Sequence, residues 1–348
     1  MQNNYNELFK SLYKGTPKQE LICNDELFHW LNYHKIDMVF FGTYGANDYP
    51  ILKDKLEQVN IKQSILYKNA IEIQNILRDN NIQFIFLKGI TLSLDIYENH
   101  YYRNFSDIDI LINEPDIDRT VDLLKSLNYV FAIYDHNKKG YIECLRKVVL
   151  EKRMYSHEMP DLIRQEENGF ISQIDLNFKF TWTENNNQIP FDVLIKNTKA
   201  VYYENSELTQ LNEVYNFIHL CCHLYNEAVF FIARLNGRKL IPDDLKLIHI
   251  LDLIYIILKG INFDEIINAA QKHGLFQAIY YCLKIISKID STIIPQSVFD
   301  MKKDCMVDEH INYYIDANGN KANWNIDILD RLFDLNKRAL EITRIIDL

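Results

Sequence analysis

Cysteine, positive charge and long apolar runs are what this chain has least of. Six cysteines (Cys23, Cys144, Cys221, Cys222, Cys282 and Cys305) are scattered through 348 residues, with no C-x-x-C pair and no dense cluster. A disulfide-built scaffold is excluded, and reduced thiols in a cytoplasmic protein are the expectation. Lys and Arg total 38 against 48 Asp and Glu, a net charge of -10 with a pI near 5.5. That excludes a broad basic face for duplex nucleic acid, while a local positive patch keeps an RNA end open as a substrate. No apolar run approaches the roughly 18 to 20 residues of a membrane span. The opening MQNNYNELFK has neither a basic start nor an apolar core, so it does not read as a signal peptide. Internal repeats and low-complexity tracts are absent as well.

What is present is the balance of a globular protein, 48% hydrophobic and 25% charged, long enough for two domains or one large one. Residues 1 to about 60 alternate short helical patterns with turns, among them an apolar set of Leu27, Trp30 and Leu31 and a loop from Thr43 to Pro50. From Ser64 to Asn80, Ile65, Leu66, Ala70, Ile73, Ile76 and Leu77 recur at three- and four-residue steps, which predicts a helix.

The informative stretch follows, Phe84 to Ile112. Phe84, Ile85, Phe86 and Leu87 are too short a run for a helix and stop at Lys88-Gly89, a buried strand ending at a glycine. Ile90 to Glu98 has helical spacing, with Ile90, Leu94 and Tyr97 on one face. A polar loop carries Arg103 and Ser106, and a strand then places Asp107 and Asp109 on the side opposite Ile108 and Ile110. Two carboxylates on one face can hold a hard divalent cation. The helix N-terminus with Lys88 can hold phosphates, and Gly89 lets backbone approach them. Arg103 suits a phosphate or acceptor contact, an exposed loop arginine being the plainer alternative. Ser106 joins the nucleotide-binding set, though capping the strand end is a simpler role for it.

Farther on, Pro115 opens a helix with Val121, Leu124 and Leu127 that Asn128 closes, Tyr129 to Tyr134 reads as a strand, and Tyr141 to Leu150 as a helix. Met154 to Ile163 and Phe170 to Phe180 read as a hairpin about Gln165–Gly169, its second strand placing Asp175 and Asn177 on one face. From Asn212 the pattern is helical (212 to 235, 242 to 259, 263 to 274, 276 to 288), broken at Gly237, Pro242, Gly260 and Gly274. Residues 291 to 320 are polar and irregular, and Asn325 to Ile346 is helical again. His219 and His223 form an i,i+4 pair able to ligate zinc, but no H-E-x-x-H is present, and a face that packs polar groups or lines a cleft is the simpler reading. Asp252 interrupts a very apolar helix three residues after His249, so it needs a partner or a wet cleft.

The ordered set Leu87-Lys88-Gly89, Tyr97, Arg103 and Asp107-Ile108-Asp109 resembles the polymerase-β-like nucleotidyltransferase superfamily, and within it a bacterial branch of uncharacterised nucleotidyltransferases. The resemblance covers roughly residues 64 to 260 and implies an α+β fold, a mixed sheet with flanking helices plus a C-terminal helical domain. It also implies that Asp175 is the third carboxylate of a metal site, where relatives carry Asp-Leu-His and this chain has Asn177 in place of the histidine. His219, His223, His249 and Asp252 would form the helical wall of the cleft. The expected organisation is an N-terminal helical region (1–62), a catalytic domain (63–205), a cleft-lining helical domain (206–290) and a helical extension (291–348).

The expected activity is Mg2+- or Mn2+-dependent transfer of an NMP group from an NTP, ATP first among them. The acceptor is a hydroxyl or phosphate on a small molecule, modified peptide or protein, and pyrophosphate leaves. Asp107, Asp109 and Asp175 would be catalytic, with Lys88, Gly89, Arg103 and Ser106 on the nucleotide. The competing expectation is a non-catalytic nucleotide-binding regulator that keeps the fold.

Overall fold

Alternating hydrophobicity builds the first unit of the chain, Ile51–Asn216, around an eight-stranded mixed sheet. The structure, a computed structural model, describes residues 2–16, 24–45, 50–135, 140–167, 169–182, 187–235, 245–300 and 308–346. The helix breaks read at Gly237 and Pro242, Cys23, Cys305, Asn168 and positions 46–49 of the expected loop lie outside these described residues.

The strands in chain order are β1 (Phe84–Leu87), β2 (Ile108–Ile112), β3 (Val130–Asp135), β4 (Gly140–Glu143), β5 (Leu162–Gln165), β6 (Ile171–Asn177), β7 (Thr198–Tyr203) and β8 (Ser206–Leu211). They lie side by side as β4-β3-β5-β6-β2-β1-β8-β7. Two pairings are parallel, β2 with β6 and β1 with β8, and the others are antiparallel. A parallel pair needs a crossover, and the chain between β2 and β6 supplies it through the Ile117–Ser126 helix and the β3–β4–β5 strands.

One face of the sheet carries the core. Phe84 and Phe86 of β1, Ile108, Ile110 and Ile112 of β2, and Ile174 and Leu176 of β6 join Leu66, Tyr67, Ala70, Ile73 and Leu77 of the Pro50–Asp79 helix. The period of two in the strands and the three- or four-residue step in the helix are what let these faces meet. That helix is longer than its periodicity suggests, because Leu52 and Val59 are the widely spaced buried positions of its first half.

Pairing overrode local pattern in two places. Residues 140–143, read as the start of a helix, form β4 against β3, with Tyr134 and Tyr141 in cross-strand edge contact at 5.4 Å, and the helix runs instead over Arg146–Tyr155. Met154 and Tyr155 end that helix, so the expected hairpin is shorter, β5 with β6. The β7–β8 hairpin has no counterpart in the sequence reading; it turns tightly at Glu204, φ 52°.

The second unit joins Met1–Pro50 to Phe217–Leu348. Its helices include Gln2–Lys14, Asp25–Tyr33, Asp37–Tyr44, the part of Glu213–Val229 from Phe217 onward, Leu247–Leu258, Phe263–Lys272, Phe276–Ile289, Ile328–Phe333 and Leu335–Ile346. A short hairpin, β9 (Tyr313–Ile315) with β10 (Lys321–Asn323), starts in the segment read as irregular and ends just past it. Specific contacts tie the two chain segments of this unit together. Buried His34 accepts from the Leu247 N–H through Nδ1 at 3.2 Å, and its carbonyl accepts from Ile248 N–H at 3.2 Å. These bonds satisfy orphan donors at the start of the Leu247–Leu258 helix. Burial holds the His34 imidazole neutral, its pKa lowered to about 3. Lys14 pairs with Asp290 at 2.6 Å. Cys144, Cys221, Cys222 and Cys282 are free thiols, and no helix among the described residues is long and apolar enough to cross a membrane.

Candidate active site

The parallel pairing of β2 with β6 places Asp109 directly across from Asp175, between the Ile108–Ile174 and Ile110–Leu176 pairs. Adjacent strands run about 4.8 Å apart, so these two carboxylates are neighbours by register. Because the flanking isoleucines and leucine enter the core, alternation turns both acids to the other face of the sheet. Asp107 precedes β2 by one residue and stays partly exposed, close enough to act electrostatically on both.

Lys88 reaches into this group. Its Nζ lies 2.8 Å from Asp109 Oδ1, and Leu87 is the cross-strand partner of Asp109 in β1. The turn that aims the lysine is strained, with Lys88 at φ 52° and ψ -130° just before the Gly89–Ile96 helix. Such non-glycine backbone gathers at functional sites, where the surroundings hold it in place at a cost of about 1–3 kcal/mol.

The balance of charges follows from this crowding. Burial pushes the Asp109 carboxyl up, Asp107 and Glu158 push the same way, and Lys88 opposes them, leaving it raised to about 6. Asp175 is raised well above the ordinary range by burial, then by Asp107 and Asp109, despite a hydrogen bond from Gln173 and the charge of Lys88. For Lys88, burial alone would favour the neutral amine, but Asp109, Asp175 and Asp107 outweigh it and keep the ammonium. The group is short of positive charge, and a lysine supplies part of what is missing.

Gly89 has a steric reason for being glycine. A Cβ there would lie 2.5 Å from Phe105 Cβ, so the close approach goes to the loop that leads into Asp107. Arg103 is buried rather than an exposed loop arginine: its guanidinium donates to the Asn104 carbonyl at 2.8 Å, and its own carbonyl accepts from Gln63 Nε2 at 2.8 Å. Arg103 thereby braces the loop before the acids. Ser106 is exposed beside Asp107, and Tyr97 is buried at the end of the Gly89–Ile96 helix. Asn177 is buried and donates back to the Asp175 carbonyl at 3.1 Å.

The structure adds several neighbours that the sequence reading does not name. Gln173 Nε2 donates to Asp175 Oδ1 at 2.9 Å, and Tyr141 donates to Gln173 Oε1 at 3.3 Å. Alternation could have found Gln173, two residues before Asp175 on the same strand face. Glu158 could not have been found this way. It lies in an irregular segment, bridges to Asn177, and is held ionised against the cost of burial by His157 and by Lys152, whose Nζ lies 2.8 Å away. Lys62 faces the same field: burial lowers its pKa and Asp107 opposes the shift.

The four remaining candidates belong to the other unit. His219 is buried on the Glu213–Val229 helix, and Asp252 is fully buried on the Leu247–Leu258 helix. His223 and His249 come together, their rings 5.2 Å apart and within 8° of parallel, with Glu227 beside both.

No curated protein matches the chain. A crystal structure of an antigenic nucleotidyltransferase-like protein from Paracoccidioides brasiliensis is similar over 71% of this chain and 97% of that one, at 14% identity and a TM-score of 0.37. Residues 25–289 match the profile of a family described as uncharacterised nucleotidyltransferase, a span that takes in the Lys88 turn, all three carboxylates and the helices carrying the histidines, and the chain belongs to that family.

Proposed function

We propose that the chain is a nucleotidyltransferase of polymerase-β-like architecture that moves an NMP group from an NTP to an acceptor hydroxyl or phosphate, with Mg2+ held by Asp107, Asp109 and Asp175. The observation that carries this reading is the Asp109–Asp175 register, which sets two acids side by side next to Asp107 at the Lys88 turn. The donor set fits a hard cation. All three ligands are carboxylate oxygens, and the raised pKa values of Asp109 and Asp175 reflect burial first and then the repulsion between neighbouring acids, which a divalent ion relieves. When bound, Mg2+ offsets the charge that builds on phosphate oxygens.

The residues of the chain do the rest. Lys88 adds a fixed positive charge for the triphosphate, and the N–H groups opening the Gly89–Ile96 helix favour anions. Gln173 holds Asp175 in place through its hydrogen bond to Oδ1, and Asp175 would face the acceptor. Asp175 would also take the proton of the acceptor hydroxyl. The acceptor oxygen forms a bond to the α-phosphorus, the bond to the bridging oxygen breaks, and pyrophosphate leaves with that electron pair.

The test is pyrophosphate release by the full chain with each of the four NTPs, with and without Mg2+ and a small-molecule or peptide extract as acceptor source. Release that requires Mg2+ and extract, and that disappears in Asp109→Asn, is the expected result. Tight nucleotide binding with no release under any combination would favour the regulatory reading instead.

A further inference from the structure

We propose that His223, Glu227 and His249 form a second metal site, one for a borderline divalent transition ion with Zn2+ as the type case. Its donor set differs from that of the three carboxylates. His223 and Glu227 are four residues apart on the Glu213–Val229 helix and therefore share a face, while His249 comes from the Leu247–Leu258 helix. One ligand atom from each of the three lies within 4.8 Å of the other two. Glu227 Oε2 is 3.6 Å from His223 Nδ1 and 3.8 Å from His249 Nδ1.

Those separations decide between two kinds of cluster. They are too long for direct histidine–carboxylate hydrogen bonds, which close to about 2.7–3.2 Å. They suit atoms spread around a common centre: bonds of roughly 2.0–2.2 Å in a tetrahedron put ligand atoms about 3.4 Å apart. The two glutamate–imidazole separations need only a few tenths of an ångström of contraction to reach that value, and the two near-parallel imidazoles, 5.2 Å apart between ring centroids, must rotate about their side-chain bonds to share the ion. The three side chains keep 11%, 19% and 17% of their surface, enough for an ion to enter and for water to complete the coordination.

Two imidazoles and one carboxylate favour Zn2+ or its neighbours over Mg2+ or Ca2+, which prefer oxygen. Three protein ligands leave at least one position open. His219, one turn earlier, is not among the converging atoms, so the ion pairs His223 with a residue of another helix rather than with its i,i+4 neighbour. An ion here would clamp the two helices and stabilise the fold by mass action.

The experiment measures Zn2+ binding by calorimetry and metal analysis in the full chain carrying Asp109→Asn, which removes one ligand of the carboxylate site. One Zn2+ per chain is expected, with Glu227→Gln weakening it about 10- to 100-fold and His249→Ala or His223→Ala abolishing it. Should a histidine variant fail to fold, the visible spectrum of the Co2+-loaded unsubstituted protein decides. An intense tetrahedral spectrum lost in Glu227→Gln supports the site. A spectrum of oxygen ligation alone, or Zn2+ binding untouched by all three substitutions, overturns it. Pyrophosphate release does not enter this readout, so failure here leaves the transferase reading standing, and the reverse.

Discussion

Among the described residues, the carboxylate group at the Lys88 turn and the His223–Glu227–His249 group are built on opposite plans. In the sheet unit the donors are all carboxylates, placed by strand register and partly neutralised by Lys88 at 2.8 Å. In the helical unit two histidines surround a glutamate, two of the three set by one helical turn and the third by packing of a second helix. The first plan concentrates negative charge and suits a hard cation with phosphates. The second offers nitrogen and suits a softer ion. Strand register made the first cluster by pairing residues far apart in sequence, whereas the second needed only one long-range contact. The backbone geometry that brings side chains together thus sets the chemistry each cluster offers.

Breaking the carboxylate plan should have the largest effect. Asp107→Asn and Asp109→Asn each keep shape and remove charge, so pyrophosphate release should fall on the order of 10³-fold or more with the fold intact. Near-normal turnover in either would remove the metal assignment. Asp175→Asn should slow the chemical step by about 10²–10³-fold while the nucleotide dissociation constant stays within a few-fold, a split that single-turnover and binding measurements resolve. Lys88→Ala comes next. It should weaken triphosphate binding by about 10-fold, roughly one charge-assisted contact, with little change in the acceptor's apparent affinity. An unchanged nucleotide dissociation constant would confine Lys88 to its ion pair with Asp109.

Two smaller effects sharpen the contrast through stability. Gly89→Ala forces a methyl group against Phe105 and should destabilise the chain by about 1–3 kcal/mol, read as a lower melting temperature. A stability equal to that of the unsubstituted chain would show that Phe105 moves freely.

The pH effect has a definite sign. Asp109 binds its proton more tightly folded than unfolded, so its stabilising contribution is complete below the ordinary carboxylate range and is lost as pH rises through about 6. Asp175 shifts in the same direction. Mg2+ should therefore raise the melting temperature more at about pH 8 than at about pH 5, by roughly 2–4 °C for each kcal/mol of repulsion relieved. An equal shift at both values would show that the carboxylates are not what the ion meets.

Much of the sheet was legible because strands announce their faces locally. Phe84–Leu87, the Asp107-Ile108-Asp109 alternation and the Asp175 strand are visible in any window of a few residues. The β7–β8 hairpin, the β4 strand and the short β9–β10 pair were missed, since each owes its conformation to a partner strand rather than to its own pattern. Lys88 was read as a helix-terminus phosphate ligand, and the structure adds that it pairs with Asp109. Gly89 reads as room for a phosphate, and the structure adds that a Cβ there would meet Phe105. His219 and His223 were the histidine pair suggested by helical spacing, whereas packing chose His223 with His249 and added Glu227.

By itself the sequence determined the chemical vocabulary of this protein: the strand–Lys-Gly–helix turn, the paired aspartates with their apolar backs, the third aspartate, and a helical half rich in histidine. Periodicity is a property of the backbone, so it can be read without knowing what lies opposite. Only the tertiary structure decided which residues share a space. Register brought Asp109 to Asp175, an irregular segment carried Glu158 into their field, and helix packing set His249 beside Glu227. Those choices depend on burying faces that are distant along the chain, and their free energy belongs to the whole fold rather than to any local stretch.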